Sequence, residues 1–151
     1  MKTTTLDETD YRIINALVRN GRASYSSLGE EVGLSPHGAA DRVRRLREAG
    51  VITGFTASVD LETVGRALDA VIDVRLTPDT TPQDFEQRVA KLHAVRELAF
   101  VTGRFDYQLR VACLDADDLD RTVRALRQTA GAAQTETRIV MRSTAYRHAV
   151  G

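Results

Sequence analysis

The 151-residue chain has one cysteine, no tryptophan, three prolines and three histidines. A lone Cys113 excludes an intramolecular disulfide framework and a cysteine-rich zinc site, so the fold must rest on its apolar core and the expected setting is the cytoplasm. Charge of one sign is also missing: 21 basic residues stand against 21 acidic ones. That balance speaks against coating nucleic acid by bulk attraction and leaves any such affinity to a local patch. No run approaches the ~18 apolar residues needed to cross a bilayer, and the opening residues carry no apolar signal core, so neither membrane insertion nor export is expected. His37, His93 and His148 fall in three different predicted elements, which shows neither metal-ligand spacing nor a histidine-centred triad. No metal and no cofactor is expected.

What is present is the composition of a globular protein, 42% hydrophobic and 28% charged, long enough for one domain or two small ones. Within residues 24–50, Ser24 can cap one helix, Gly33 can end it in a left-handed turn, and Ser35 with Pro36 can start the next. Leu28 and Val32 lie four apart; Ala39, Val43 and Leu46 follow at four-then-three spacing, with Leu34 between the sets, so the six can share a small core. With that face inward, the helical wheel turns His37, Asp41, Arg44, Arg45 and Glu48 outward and puts Gly38 and Arg42 on the flanks. From Ser35 to Gly50 the balance is four basic to two acidic residues. This is the sequence form of a helix-turn-helix. A major groove admits such a helix, arginine can read guanine edges, and a capping serine can approach a phosphate. An ordinary solvated helical hairpin fits the same residues.

Ahead of this motif, Asp7 can cap a helix whose apolar face is Ile13, Ile14, Leu17 and Val18, ending near Asn20 and Gly21. After it, residues 51–59 read as two short apolar pieces around Gly54, a small hairpin or wing. The expected division is a winged helix-turn-helix domain over 1–58, a linker over 59–66 and a second domain over 67–151.

The second half changes period. Leu68 to Leu76 alternates as a half-buried strand, and Pro82 opens a helix with Phe85, Val89 and Leu92 inward, reaching His93. Residues 97–102 and 107–113 are strand-like around the hairpin-sized connection Gly103-Arg104-Phe105-Asp106. Asp115 caps a second helix with Leu119, Val123 and Leu126 inward and Gly131 at its end, and Thr135, Thr137, Ile139 and Met141 alternate along a final strand. The order β-α-β-β-α-β is ferredoxin-like, so the fold class is α+β, with both helices on one face of an antiparallel sheet. The other face lacks a covering layer, and a second copy of the chain is the simplest cover. Two chemical alternatives are weaker. The cluster Asp115, Asp117, Asp118 and Asp120 lacks the glycine and glutamate of a calcium loop and suits a helix N-terminus instead, and Cys113 alternates with Leu109 and Val111 as a buried strand residue rather than a nucleophile.

The chain resembles the Lrp/AsnC family of feast/famine transcriptional regulators along essentially all its length. The resemblance is carried by Leu6-Asp7, Asp10, Ile13 and Leu17 with Asn20-Gly21-Arg22. Val32-Gly-Leu-Ser-Pro36, Arg42-Val-Arg-Arg-Leu46 and Gly50-Val-Ile-Thr-Gly54 continue it, as do Val101-Thr-Gly-Arg-Phe-Asp-Tyr107 and Thr137-Arg-Ile-Val140. It implies a regulator of double-stranded DNA whose second domain is an AsnC-type effector-binding domain, pairing into homodimers and assembling further into tetramers or octamers. It implies DNA contacts by Ser24, Ser35, Pro36, His37, Gly38, Asp41, Arg42, Arg44 and Arg45. It further implies an amino acid or related effector near the hairpin at a dimer–dimer contact. Gly103 would approach that ligand and Asp106 would anchor its ammonium group, with Thr102, Arg104, Tyr107 and Thr137 nearby. Gly103 and Asp106 also suit a plain tight turn. His37-Gly38 departs from what relatives often carry early in the recognition helix, so the operator cannot be copied across. The sirohaem decarboxylases resemble the same two-domain arrangement; Arg75, Arg104, Arg110, Arg138 and Arg142 could supply charge for their anionic tetrapyrrole, but no histidine lies on a predicted strand. An effector-independent architectural protein is a further alternative.

Overall fold

A computed structural model describes residues 4–151 of the chain. They form two compact units: residues up to Ser58 together with Thr144–Gly151, and Val59–Ser143. The last eight residues, expected in a domain running to 151, thus group with the first unit.

The first unit is three helices, α1 (Glu8–Arg19), α2 (Tyr25–Val32) and α3 (Pro36–Glu48). Each starts at the predicted cap: Asp7 accepts from the Asp10 N–H, Ser24 from Ser27 and Ser35 from Gly38. Asp7 and Asp10 add a reciprocal capping box, since the Asp10 carboxylate accepts from the Asp7 N–H at 3.1 Å. Gly33 ends α2 at φ 76°, the left-handed value its place between two helices requires. One further glycine was not singled out by the pattern. A Cβ on Gly29 would collide with the Leu34 carbonyl, so only glycine lets α2 lie this close to the turn that launches α3. Ile13, Leu28, Ala39, Val43 and Leu46 form the buried core, with Leu34 packed at its margin.

The expected wing does not form: residues 51–59 contain no strand. The N–H groups of Val51 and Ile52 both turn back to the Leu46 carbonyl, at 2.9 and 3.1 Å, closing the end of α3. Their side chains pack against the helical core. Apolar residues that read as a hairpin are therefore used as a helix stop. The expected linker, 59–66, is a tight turn in which the Asp60 carboxylate accepts from the Glu62 N–H and the Thr63 hydroxyl. These bonds, Thr63 foremost, hold the Asp60 carboxyl below its usual range.

The second unit runs β1 (Leu68–Leu76), α4 (Pro82–Val89), β2 (Val95–Phe100), β3 (Tyr107–Cys113), α5 (Ala116–Ala125) and β4 (Ala132–Ile139), with a π-helical turn, Leu126–Ala130, after α5. The strands pair antiparallel in the order β2-β3-β1-β4, the ferredoxin-like arrangement. Differences from expectation are at ends. α4 stops at Val89 because the chain tightens, with Lys91 donating to Arg88 and Leu92 to Val89. β2 begins at Val95 through an irregular register between Val95 and Glu97. β4 begins at Ala132, which a register shift aligns with Leu76, and ends at Ile139, leaving Met141 92% exposed.

Both helices pack on one face. Ala70, Ile72 and Val74 of β1 and Leu109, Val111 and Cys113 of β3 are buried against Phe85, Val89 and Leu126. Cys113 is fully buried, and burial pushes its thiol pKa up. The opposite face is lined by charge. Arg110 makes a two-pronged pair with Asp69 at 2.5 Å, and Asp73 accepts from Arg138 at 2.5 Å and from Gln108 at 3.1 Å.

Phe85 is wholly inside and packs against the Tyr107 ring, centroids 4.8 Å apart and planes tilted by 39°. Phe85→Ala is expected to destabilise the second unit by about 3–5 kcal/mol. Denaturant melts followed by hydrogen exchange of the β1 and β3 amides measure it; a loss under about 1 kcal/mol would contradict this packing.

Candidate functional site

Helix α3 presents two kinds of surface. His37 is fully outward, its Nε2 3.7 Å from the Asp41 carboxylate, and Asp41 also pairs with Arg44 at 2.6 Å. Arg44 continues toward Glu48 at 3.9 Å. Arg45 is exposed and has no ion-pair partner among the described residues. Ser24, Ser35 and Pro36 are exposed, but the serine oxygens are already engaged as caps. A Cβ at Gly38 would come 3.3 Å from the Ser35 hydroxyl, a close contact that a shift of a few tenths of an ångström relieves. The glycine costs the helix about 1 kcal/mol relative to alanine.

Arg42 behaves differently. Its guanidinium turns away from the outward face and pairs with Asp7, and with Asp10 at 3.0 Å, while only 24% of the side chain stays exposed. The same two carboxylates form the capping box of α1, so Arg42 ties α3 to α1. The bonds to Asp7 and then Asp10 raise the Arg42 pKa; in return the bond from Arg42, then the Asp10 N–H, holds the Asp7 carboxyl below 3.8. Helical spacing puts Arg42 on the flank of the outward face, and it was expected among the DNA contacts; the structure turns it inward instead.

A cavity of about 590 Å³ lies beside this face, walled by Tyr25, His37, Asp41, Arg44, Arg47 and Thr53. Tyr25 is half exposed, and Arg47 lies 5.7 Å over the Phe55 ring. Sequence reasoning assigned neither Tyr25 nor Arg47 to the site. Nothing in helical spacing marks Tyr25, whereas Arg47 could have been found from the charge surplus of α3 alone.

In the second unit, the connection between β2 and β3 is a tight hairpin in which Val101 N–H donates to the Asp106 carbonyl at 2.9 Å. Gly103 sits at φ 109°. Thr102, Gly103 and Arg104 are exposed, and the Arg104 carbonyl accepts from Arg75 Nε at 3.1 Å. Asp106 is pinned to β1: its Oδ2 accepts from the Leu76 N–H at 2.8 Å, and its own N–H donates to the Val74 carbonyl at 2.9 Å. Tyr107 is buried between Phe85 and Phe100, and its hydroxyl donates to Glu86 at 2.6 Å. Burial, then the bond to Glu86, push its pKa up to about 12. The hairpin thus gathers Thr102, Gly103, Arg104 and Asp106. Thr137 stands apart, paired with Ile72 so that β1 separates it from β3.

The sequence profile of the Lrp/AsnC ligand binding domain matches residues 69–150, and that of the AsnC-type helix-turn-helix domain matches residues 6–47. The chain belongs to the Lrp/AsnC family. The leucine-responsive regulatory protein of Haemophilus influenzae is 33% identical over 140 residues, covering 90% of this chain and 84% of the relative. The transcriptional regulator AldR of Mycobacterium tuberculosis is 35% identical over 138 residues, covering 89% and 77%. Among solved structures, a transcriptional regulator of Neisseria meningitidis in complex with L-Met overlays with a TM-score of 0.89 at 28% identity, covering 97% of each chain. The feast or famine regulatory protein of M. tuberculosis complexed with L-methionine overlays at 0.90 and 29% identity, covering 97% of this chain and 100% of that one.

This Lrp/AsnC protein is therefore a DNA-binding transcriptional regulator, with its helix-turn-helix on α2 and α3. The Asp7–Arg42 contact makes its first unit acid-sensitive. A carboxyl whose pKa is depressed on folding adds stability above its unfolded value of 3.8, and that stability is lost as pH falls through the lower folded value. Thermal melts between pH 6 and pH 2 are expected to show a steeper drop for the wild-type chain than for Asp7→Asn, which keeps a capping oxygen but no charge. Parallel curves would remove Asp7 from this role.

Proposed function

We propose that α3 enters the major groove of double-stranded DNA with Ser35, Pro36, His37, Arg44 and Arg45 toward the duplex, and that the 101–107 hairpin holds an amino acid or a related small molecule. The observation that carries the DNA reading is the split among the α3 arginines. Arg42 is drawn inward by two carboxylates, while Arg45 is exposed and has no ion-pair partner among the described residues. A groove-facing arginine needs that freedom to reach guanine O6 and N7. Asp41 restrains His37 and Arg44 and keeps them upright on the helix. Ser24, Gly38 and Arg42 support the geometry rather than touch bases.

For the effector, the relatives solved with L-methionine supply the ligand class. Asp106 supplies a carboxylate with one oxygen engaged by Leu76 N–H and the other available to an ammonium group. Exposed backbone at Thr102 and Gly103 supplies groups for the ligand's carboxylate. A second copy covering the charged sheet face would complete a homodimer, and its two α3 helices must lie about 34 Å or a multiple apart to reach successive grooves. Further assembly would close the hairpin site, and an effector bound there acts by favouring one assembly over another.

A catalytic role has less support. His37 lies in α3, His93 in a turn and His148 in irregular chain, and three of the five arginines named for a tetrapyrrole are engaged: Arg110 with Asp69, Arg138 with Asp73, and Arg75 with the Arg104 carbonyl.

Two outcomes follow. Arg45→Ala should weaken binding to the chain's own promoter DNA by ~1–3 kcal/mol without changing the melting temperature. Arg42→Ala should instead cost about 1–3 kcal/mol of folding stability, because it strands the buried Asp10 carboxylate. Electrophoretic mobility shifts and melts on both variants test the split, and equal effects on both readouts would refute it. In a thermal-shift screen of the twenty amino acids, a ligand at 100 times its Kd should stabilise by ~2.7 kcal/mol. That shift should vanish in Asp106→Asn, which retains an acceptor for Leu76 N–H; a full shift in the variant would exclude ammonium anchoring.

A further inference from the structure

Thr144–Gly151 returns to the DNA-binding unit after the last strand of the sensor domain. Its anchor is Asn15 of α1, whose carboxamide engages one residue of the segment with both halves. Val150 N–H donates to Asn15 Oδ1 at 2.8 Å, and Asn15 Nδ2 donates to the Val150 carbonyl at 3.3 Å. A side-chain amide that satisfies both the N–H and the C=O of one residue imitates the edge of a neighbouring strand, so it reads extended backbone. Val150 also lines an apolar cavity of about 460 Å³ together with Tyr11, Ile14, Leu17 and Phe55. Gly151 follows at φ +92°, where a Cβ would fall 2.5 Å from the Tyr11 ring. The ring thus excludes every side chain at that position.

A backbone clamp, an apolar seat and a steric filter are the parts of a peptide-recognition groove. The cost to the helix agrees with that role. Asparagine is a poorer helix former than alanine, yet it occupies the middle of α1, where its side chain makes these two bonds to a residue 135 positions away.

We propose that this groove between α1 and the 51–55 segment is a peptide-binding site whose ligand is the chain's own Thr144–Gly151 segment. Taken with the regulator reading above, on which only its use depends, capture and release of the segment is a two-state element within the DNA-binding unit.

Amide hydrogen exchange on the full chain tests the clasp with neither DNA nor effector present, so its failure would leave the regulator reading standing. Val150 N–H is expected to be protected in the wild-type chain and to exchange roughly tenfold faster in Asn15→Ala, as two hydrogen bonds are lost. Alanine favours the helix, so the α1 amides should keep or gain protection, which separates loss of the clasp from unfolding of α1. Gly151→Val, which leaves Asn15 in place but meets Tyr11, should also speed exchange at Val150. An unprotected Val150 in the wild-type chain, or unchanged exchange in Asn15→Ala, overturns the proposal. So does protection that disappears on dilution, which would assign the segment to a second copy.

Discussion

Arg42 carries the geometry of the DNA-binding unit. A guanidinium held by Asp7 and Asp10 joins the start of α1 to the middle of α3, and the same carboxylates close the capping box that begins α1. One cluster therefore sets where the first helix starts and how the third lies against it. The close approach at Gly29 sets the remaining degree of freedom, the distance between α2 and the turn before α3. With two contacts fixing the helix pair, the outward face of α3 is held on a preorganised frame.

Charge in the sensor domain follows the same economy. On the face away from the helices, Asp69 is matched by Arg110 and Asp73 by Arg138, each from a neighbouring strand. A carboxylate taken out of water alone is costly, whereas one already paired and hydrogen-bonded can be covered by a further layer at smaller cost. The hairpin end of the same domain is braced by Asp106 on Leu76 and by Tyr107 on Glu86, leaving exposed backbone at its tip on a rigid base.

The fold was legible where one residue type has one local use. Asp7, Ser24, Ser35, Gly33 and Pro36 fixed the helix boundaries through caps, and the period change after residue 67 fixed the strand order. It was illegible where a side chain has a distant partner. Helical spacing already sets Arg42 on the flank and Arg45 outward, but only the three-dimensional placement of Asp7 and Asp10 shows that Arg42 is tied to α1. Val51 and Ile52 look like the arm of a hairpin because the demand of the Leu46 carbonyl for donors is invisible in the pattern. The same holds for Asn15 and Val150: a carboxamide in a helix and a valine near the end of the sequence give no sign of each other. At the candidate effector site, Gly103 and Asp106 mark a turn in sequence, and the structure gives that turn a definite anchor without removing its second oxygen from use.

Cys113 lies sealed beneath α5 with its thiol pushed away from the reactive thiolate form. The chain is therefore silent to thiol-directed reagents as long as it is folded. A cysteine introduced on the surface would be the only one to take up a fluorophore or spin label. The native sulfur would become reactive only when the sheet opens, which turns it into a built-in reporter of the sensor domain's integrity.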